Sequence, residues 1–162
     1  RSSRHQFYGG EGNDVLIGGA GKDLLDGGTG NDRIEGRSGR NRIFGGHGND
    51  VSSDIGGSSD IHTGPGRNRV TVGPGEDRIY VGRGVNHLTL GPGAKRLHIA
   101  YGGVVHIRDW DPPQVYDLTN WPRIPELIYD ADQAVIRLGV SMVRIFAVDE
   151  GTDIALQITH SA

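Results

Sequence analysis

A parallel all-β solenoid with two short strands per coil is the fold this sequence predicts, and three observations predict it. Residues 9–53 hold a Gly-rich nine-residue unit repeated without a gap: GGEGNDVLI, GGAGKDLLD, GGTGNDRIE, GRSGRNRIF and GGHGNDVSS. Counting on in nines, glycine keeps the fourth position at Gly12, Gly21, Gly30, Gly39, Gly48, Gly57, Gly66, Gly75, Gly84, Gly93 and Gly102. A large apolar residue keeps the eighth at Leu16, Leu25, Ile34, Ile43, Ile61, Val70, Ile79, Leu88 and Leu97, with Ser52 the exception. A phase held over about 90 residues asks for a backbone angle that only glycine adopts cheaply. The residues after each turn suffice for one short strand with one inward side chain. A unit that small buries no core alone, so the copies must stack.

Residues 9–62 form the first segment. If each unit crosses the solenoid once, a coil is two units, or 18 residues, and every second turn lies on the same side. One side then presents Asp14, Asp32, Asp50, Asn68 and Asn86 in a column, and the other presents Asp23, Asn41, Ser59, Asp77 and Lys95. Strand spacing sets column neighbours roughly 4.8 Å apart. Carboxylates that close repel each other, and a Ca²⁺ between them satisfies both, with turn carbonyls adding oxygens toward the six to eight that calcium takes. The first column is the better series, with ions expected between Asp14 and Asp32 and between Asp32 and Asp50. In the second, Asp23 with Asn41 can hold one ion, whereas Lys95 excludes one. The expected total is about two to four ions. Asp77 reads instead as an ordinary turn residue, since Asp favours turns without any metal. Asn68 and Asn86 can stack as amide ladders.

Residues 63–107 continue the solenoid with different turns. The first position, Gly in the early units, becomes Thr63, Val72, Val81, Leu90 and Ile99, and the turns acquire Pro65, Pro74 and Pro92. Ile79-Tyr80-Val81 and Leu88-Thr89-Leu90 alternate apolar, polar, apolar, which is the period of a half-buried strand. These coils are expected to have longer strands and a larger apolar core.

Residues 108–162 lose the period and form a small β cap. Alternating runs recur at Ala134–Leu138, Met142–Val148 and Ile154–Ile158. An open solenoid end exposes a core cross-section and unpaired strand edges. Trp110 and Trp121 are placed to cover that end, and Pro112, Pro113, Pro122 and Pro125 stop further pairing.

The unit matches GGxGxDxUx, with U a large apolar residue, and several copies in tandem and in phase resemble the calcium-binding β-roll of RTX proteins. The tail from Ile107 to Thr119 also resembles the stretch that follows such arrays, with Trp110 in the place of its aromatic. The resemblance implies position-six and turn-carbonyl ligands, which map onto Asp14, Asp23, Asp32, Asp50 and Asn41 with the backbone of Gly10, Gly12, Gly19, Gly21, Gly28, Gly30, Gly46 and Gly48. It further implies a secreted bacterial protein, a type I exporter as partner, and an uncleaved secretion signal near the C-terminus. The chain opens directly into a repeat, so a larger parent protein (a toxin, hydrolase or adhesin) is expected.

Composition narrows the function classes. At 162 residues there is room for one domain with a small cap. The chain has no Cys, which excludes disulfides and thiol chemistry. A net charge of −3 gives no reason to expect a nucleic-acid partner. No apolar run approaches a membrane span, and Arg1-Ser2-Ser3-Arg4-His5 has no apolar stretch behind it to make a signal peptide. The chain offers no nucleophile–base set, no HExxH and no phosphate loop, because Asp23 follows Gly19-Ala20-Gly21-Lys22 where Ser or Thr is required. This segment is therefore read as a non-enzymatic monomer.

One surface feature leaves an alternative. Phe44, His62, Tyr80 and His98 fall in an outward column flanked by Arg42, Arg78 and Arg96. The stripe reads first as a solvated sheet face. Its alternative use is to hold a polysaccharide or acidic polymer, as in the RTX-type modules of alginate epimerases.

Overall fold

The computed structural model describes residues 4–93, 95–99, 103–108, 115–117, 126–130, 133–138, 141–146 and 154–160. In chain order the strands begin with β1 (Gln6–Glu11), β2 (Val15–Ile17), β3 (Ala20–Gly21), β4 (Leu24–Thr29), β5 (Arg33–Glu35) and β6 (Ser38–Gly39). They continue as β7 (Arg42–Phe44), β8 (Val51–Asp54), β9 (Asp60–Val72), β10 (Asp77–Leu90), β11 (Lys95–Ile99) and β12 (Gly103–Arg108). The last are β13 (Val115–Asp117), β14 (Glu126–Asp130), β15 (Gln133–Leu138), β16 (Ser141–Phe146) and β17 (Ile154–His160). No helix occurs among the described residues, so none is long and apolar enough to cross a membrane.

The strands wind into a parallel solenoid of about five coils. One face carries the ladder Leu25↔Ile43↔Ile61↔Ile79↔Leu97, from β4 through β7, β9 and β10 to β11. The other carries Leu16↔Ile34↔Ser52↔Val70↔Leu88, from β2 through β5, β8 and β9 to β10. Partners are 18 residues apart, the coil length that two nine-residue units predict. The eighth-position side chains are the core: Leu25, Ile34, Ile43, Ile61, Val70, Ile79, Leu88 and Leu97 are buried, and Leu16 packs on them from the open end.

The two chemistries of the turn give two kinds of coil. In the early coils the strands run from two residues, as in β3 and β6, to six, as in β1 and β4. The later strands β9 and β10 run for 13 and 14 residues, straight through the former turns at Gly64-Pro65-Gly66 and Gly82-Arg83-Gly84. First-position Val72, Val81 and Leu90 are buried there, as a second inward residue per unit. Early units have glycine in that place, and the reason is steric. A Cβ on Gly27 would collide with Asp32 Oδ2 and with the Gly45 carbonyl of the next coil.

Fourth-position glycines from Gly12 to Gly93 all have positive φ, between 101° and 151°. The count fails at its end. β12 pairs with β10 as Gly84↔Gly103, whereas β11 pairs with it as Val81↔Ile99, so one residue is added between Ile99 and Gly103. Gly103, not Gly102, therefore continues the column.

Arg37 departs from the rule at the second position, where Gly10, Gly28 and Gly46 also have positive φ. It adopts φ 70°, a left-handed conformation that costs a residue with a Cβ roughly 1–2 kcal/mol. Arg37→Gly is expected to stabilise the protein by about 1 kcal/mol, read as a higher denaturant midpoint; an unchanged or lower midpoint would mean that this strain is relieved elsewhere.

Past residue 108 one more parallel rung follows, β13 on β11, with Leu97↔Tyr116. The antiparallel meander β14–β15–β16–β17 then returns so that β17 pairs with β12 through His106↔Ala155. Strands β15, β16 and β17 fall on the three alternating runs of the sequence, while β14 has no counterpart in that reading. Trp110, Trp121 and the four prolines expected in the cap lie outside the described residues.

Candidate metal centre

Sixth-position side chains point into the solenoid beside their own turns, and from Asp23 to Asp77 one oxygen of each accepts the backbone N–H of the residue 18 positions earlier. Asp32 Oδ1 accepts the backbone N–H of Asp14 at 2.8 Å, and Asp50 Oδ1 accepts that of Asp32 at 3.0 Å. Asn68 Oδ1 accepts that of Asp50 at 2.9 Å. The second column repeats this through Asn41 to Asp23 N, Ser59 to Asn41 N and Asp77 to Ser59 N. One side-chain oxygen, whether carboxylate, amide or hydroxyl, thus ties each of these turns to the coil before it.

What meets the second oxygen separates the turns. In the first column Oδ2 of Asp14, Asp32 and Asp50 is buried with no hydrogen-bond partner. A buried ionised oxygen without a partner is expensive. Burial pushes the Asp50 carboxyl up from the ordinary carboxylate range, the hydrogen bond from Asp32 N–H opposes this, and the Asp32 charge adds to the rise. The same oxygens stand over first-position glycines, where a Cβ on Gly9, Gly27 or Gly45 would strike the Oδ2 of Asp14, Asp32 or Asp50.

Further along this column the need is met by the protein. Asn68 Nδ2 donates to Gly64 O at 3.1 Å and to Asn86 Oδ1 at 3.1 Å, and Asn86 Nδ2 donates to Gly82 O at 3.1 Å. This is the metal-free amide ladder that the two asparagines allow.

The second column is matched at every turn. Asp23 Oδ1 accepts from His5 N at 2.9 Å and lies 3.0 Å from its ring Nδ1, while Asp23 Oδ2 accepts from Gly19 N at 3.0 Å. Burial raises the Asp23 carboxyl, but the hydrogen bonds from Gly19 and His5 outweigh it and its pKa is lowered overall. Asn41 Nδ2 and Ser59 Oγ both donate to Asp54 Oδ2, which buries a carboxylate at the first position of its unit. Burial pushes Asp54 up against those two bonds. The sequence reading did not single out Asp54; its signal is an acidic residue in a position otherwise held by Gly, Thr63 or an apolar side chain. Asp77 Oδ2 lies 3.1 Å from Lys95 Nζ, off the direction of a good hydrogen bond but well placed as an ion pair.

Among the described residues, the buried carboxylate oxygens with neither a hydrogen bond nor an ion pair are those of Asp14, Asp32 and Asp50. Among the described residues no three His, Cys, Asp or Glu side chains converge on one point. A cation in this column must take most of its ligands from backbone carbonyls, as a hard, oxygen-seeking ion does. The turns offer them: Gly10, Gly12, Gly28, Gly30, Gly46 and Gly48 all have positive φ, and the glycines of successive coils stack so closely that a Cβ on Gly28 would meet Gly10 O. Donor chemistry, burial and orphaned oxygens all fit calcium. Both columns already use one second-position carbonyl, since Gly28 O accepts from His47 N at 2.8 Å and Gly19 O from Ser38 N at 3.2 Å.

The outward stripe is a ring stack. Phe44, His62, Tyr80 and His98 lie with centroids 4.6, 4.3 and 4.5 Å apart and interplanar angles of 15°, 4° and 9°. Arg42 reaches over Phe44 at 5.5 Å, and Arg78 lies 3.7 Å from Asp60. His62 and Tyr80 spend both faces on neighbouring rings, so a sugar, which packs on an aromatic face, would meet their edges.

Comparison with known families supplies an independent result. The family model of the RTX calcium-binding nonapeptide repeat matches residues 6–34, 26–52 and 56–94. No curated protein and no solved structure matches the chain.

Proposed function

The chain belongs to the family of RTX calcium-binding nonapeptide repeats, and from that premise we propose that it is the calcium-driven folding module of a larger secreted bacterial protein. Its repeats form a structural calcium-binding domain rather than a catalytic one. The observation that carries the reading is the row of buried, unpartnered oxygens at Asp14, Asp32 and Asp50. One ion between Asp14 and Asp32 and another between Asp32 and Asp50 would match them, with the carbonyls of the adjoining glycine turns completing each shell. Without those ions the three carboxylates would repel and weaken the stacking of the early coils.

That dependence suits export. Calcium modules outside the cell bind at roughly 10⁻⁴–10⁻³ M, far above cytosolic calcium. The repeats would stay loose for passage through a type I exporter and fold on reaching calcium outside. The parent would be a toxin, hydrolase or adhesin that folds behind this segment.

The test is a calcium titration of the whole chain followed by circular dichroism. β structure is expected to grow cooperatively with a midpoint near 10⁻⁴–10⁻³ M. A midpoint below micromolar calcium would show that the sites fill inside a cell and would remove the export reading, while leaving calcium binding intact.

A further inference from the structure

Lys95 is the largest fully buried side chain of the described residues, with 0% exposure. A buried ammonium needs compensation on every side, and Lys95 has it. Its Nζ lies 3.0 Å from Gly73 O, 2.8 Å from Gly75 O, 3.0 Å from Pro92 O and 3.1 Å from Asp77 Oδ2. Four oxygens surround one positive nitrogen, three of them backbone carbonyls of glycine-type turns and one a carboxylate.

The repeat register gives these oxygens their meaning. Gly73, Gly75 and Asp77 are the second, fourth and sixth residues of one unit, and Pro92 is the third residue of the unit one coil later. The same positions in the first column are Gly28, Gly30 and Asp32, with His47 one coil later. Asp32 Oδ2 is an orphan there, and the matching Asp77 Oδ2 faces an ammonium. Pro92 is where the two turns differ. In the first column His47 N donates to Gly28 O at 2.8 Å, whereas Pro92 has no N–H to give to Gly73 O, and Lys95 takes that carbonyl instead.

We propose that Lys95 is a built-in cation: its ammonium occupies a calcium-type position between the Asp77 and Lys95 turns, so that this coil closes with no metal. The inference rests on the calcium reading of the Asp14, Asp32 and Asp50 column. It assigns the cage of Gly73 O, Gly75 O, Pro92 O and Asp77 Oδ2 as a divalent-cation site that the chain fills with its own side chain. Restoring a carboxylate at the sixth position should hand the cage back to the metal.

Lys95→Asp tests this, with calcium stoichiometry by calorimetry and hydrogen exchange of residues 72–99 in chelator and in calcium. The variant is expected to bind one calcium ion more than the wild type. It should lose protection of residues 72–99 in chelator and regain it in calcium, while the wild type keeps that protection in both. Lys95→Asn, which keeps a donor as Asn68 does, is expected to fold in chelator with no gain in stoichiometry. If Lys95→Asp folds with the wild-type stoichiometry, or if it fails to fold at any calcium concentration, the cage is not a cation site and the proposal is overturned. A wild type that binds no calcium would instead sink the reading of the first column, because the proposal concerns the increment over wild type.

Discussion

Asp32→Ala is expected to remove both calcium ions of the first column and to unfold the early coils even in calcium. Asp32 is the shared member, since it faces Asp14 on one side and Asp50 on the other through the same ladder. With free calcium about a hundredfold above its dissociation constant, each site contributes about 2.7 kcal/mol, so losing two costs roughly 5 kcal/mol. The substitution also strips the acceptor from Asp14 N–H, which adds about 1–3 kcal/mol. Together these approach the whole stability of an ordinary domain, about 5–15 kcal/mol. Asp32→Asn should behave differently, because Asn68 and Asn86 show what an amide does in this position. Its Oδ1 can keep the bond to Asp14 N–H while its Nδ2 turns to a turn carbonyl, so the variant is expected to fold with fewer ions. Asp77→Ala is the control: it disturbs Lys95 but leaves calcium stoichiometry unchanged. Equal calcium loss for the Asp32 and Asp77 variants, measured by calorimetry, would sink the assignment of the columns.

Much of this was legible in the residues because the repeat is short and strict. Glycine at every fourth position announces a backbone angle, and the positive φ from Gly12 to Gly93 is that angle. Leu25, Ile34, Ile43 and their counterparts announce a core because a nine-residue unit has room for little else. The hidden parts are those where neighbouring coils, not neighbouring residues, decide the outcome. Lys95 reads in isolation as a charge that bars calcium, and only the register with Gly73, Gly75 and Asp77 reveals the oxygens that surround its ammonium. Asp54 reads as one more polar residue after Ser52-Ser53, yet Asn41 and Ser59 converge on it from two turns. The added residue between Ile99 and Gly103 escapes a count by nines because both Gly102 and Gly103 are present to receive it.

The central claim is that one cation-shaped need recurs along the solenoid and is met in two ways. Early turns require a metal, and later turns supply the amides of Asn68 and Asn86 and the ammonium of Lys95. The later coils also bury Val72, Val81 and Leu90 beyond the eighth-position core. Each such side chain contributes roughly 1.5–3 kcal/mol, so three give about 4.5–9 kcal/mol before entropy. Pro65, Pro74 and Pro92 restrict the unfolded turns further. If the chain leaves an exporter C-terminus first, the half that folds without calcium emerges first and templates the rest. Hydrogen exchange on the intact chain, in calcium and in chelator, tests this division most directly. Chelation is expected to abolish protection across residues 9–53 while residues 63–99 retain theirs; uniform loss of protection from Gly9 to Ile99 would show that every coil depends on metal and would contradict the account.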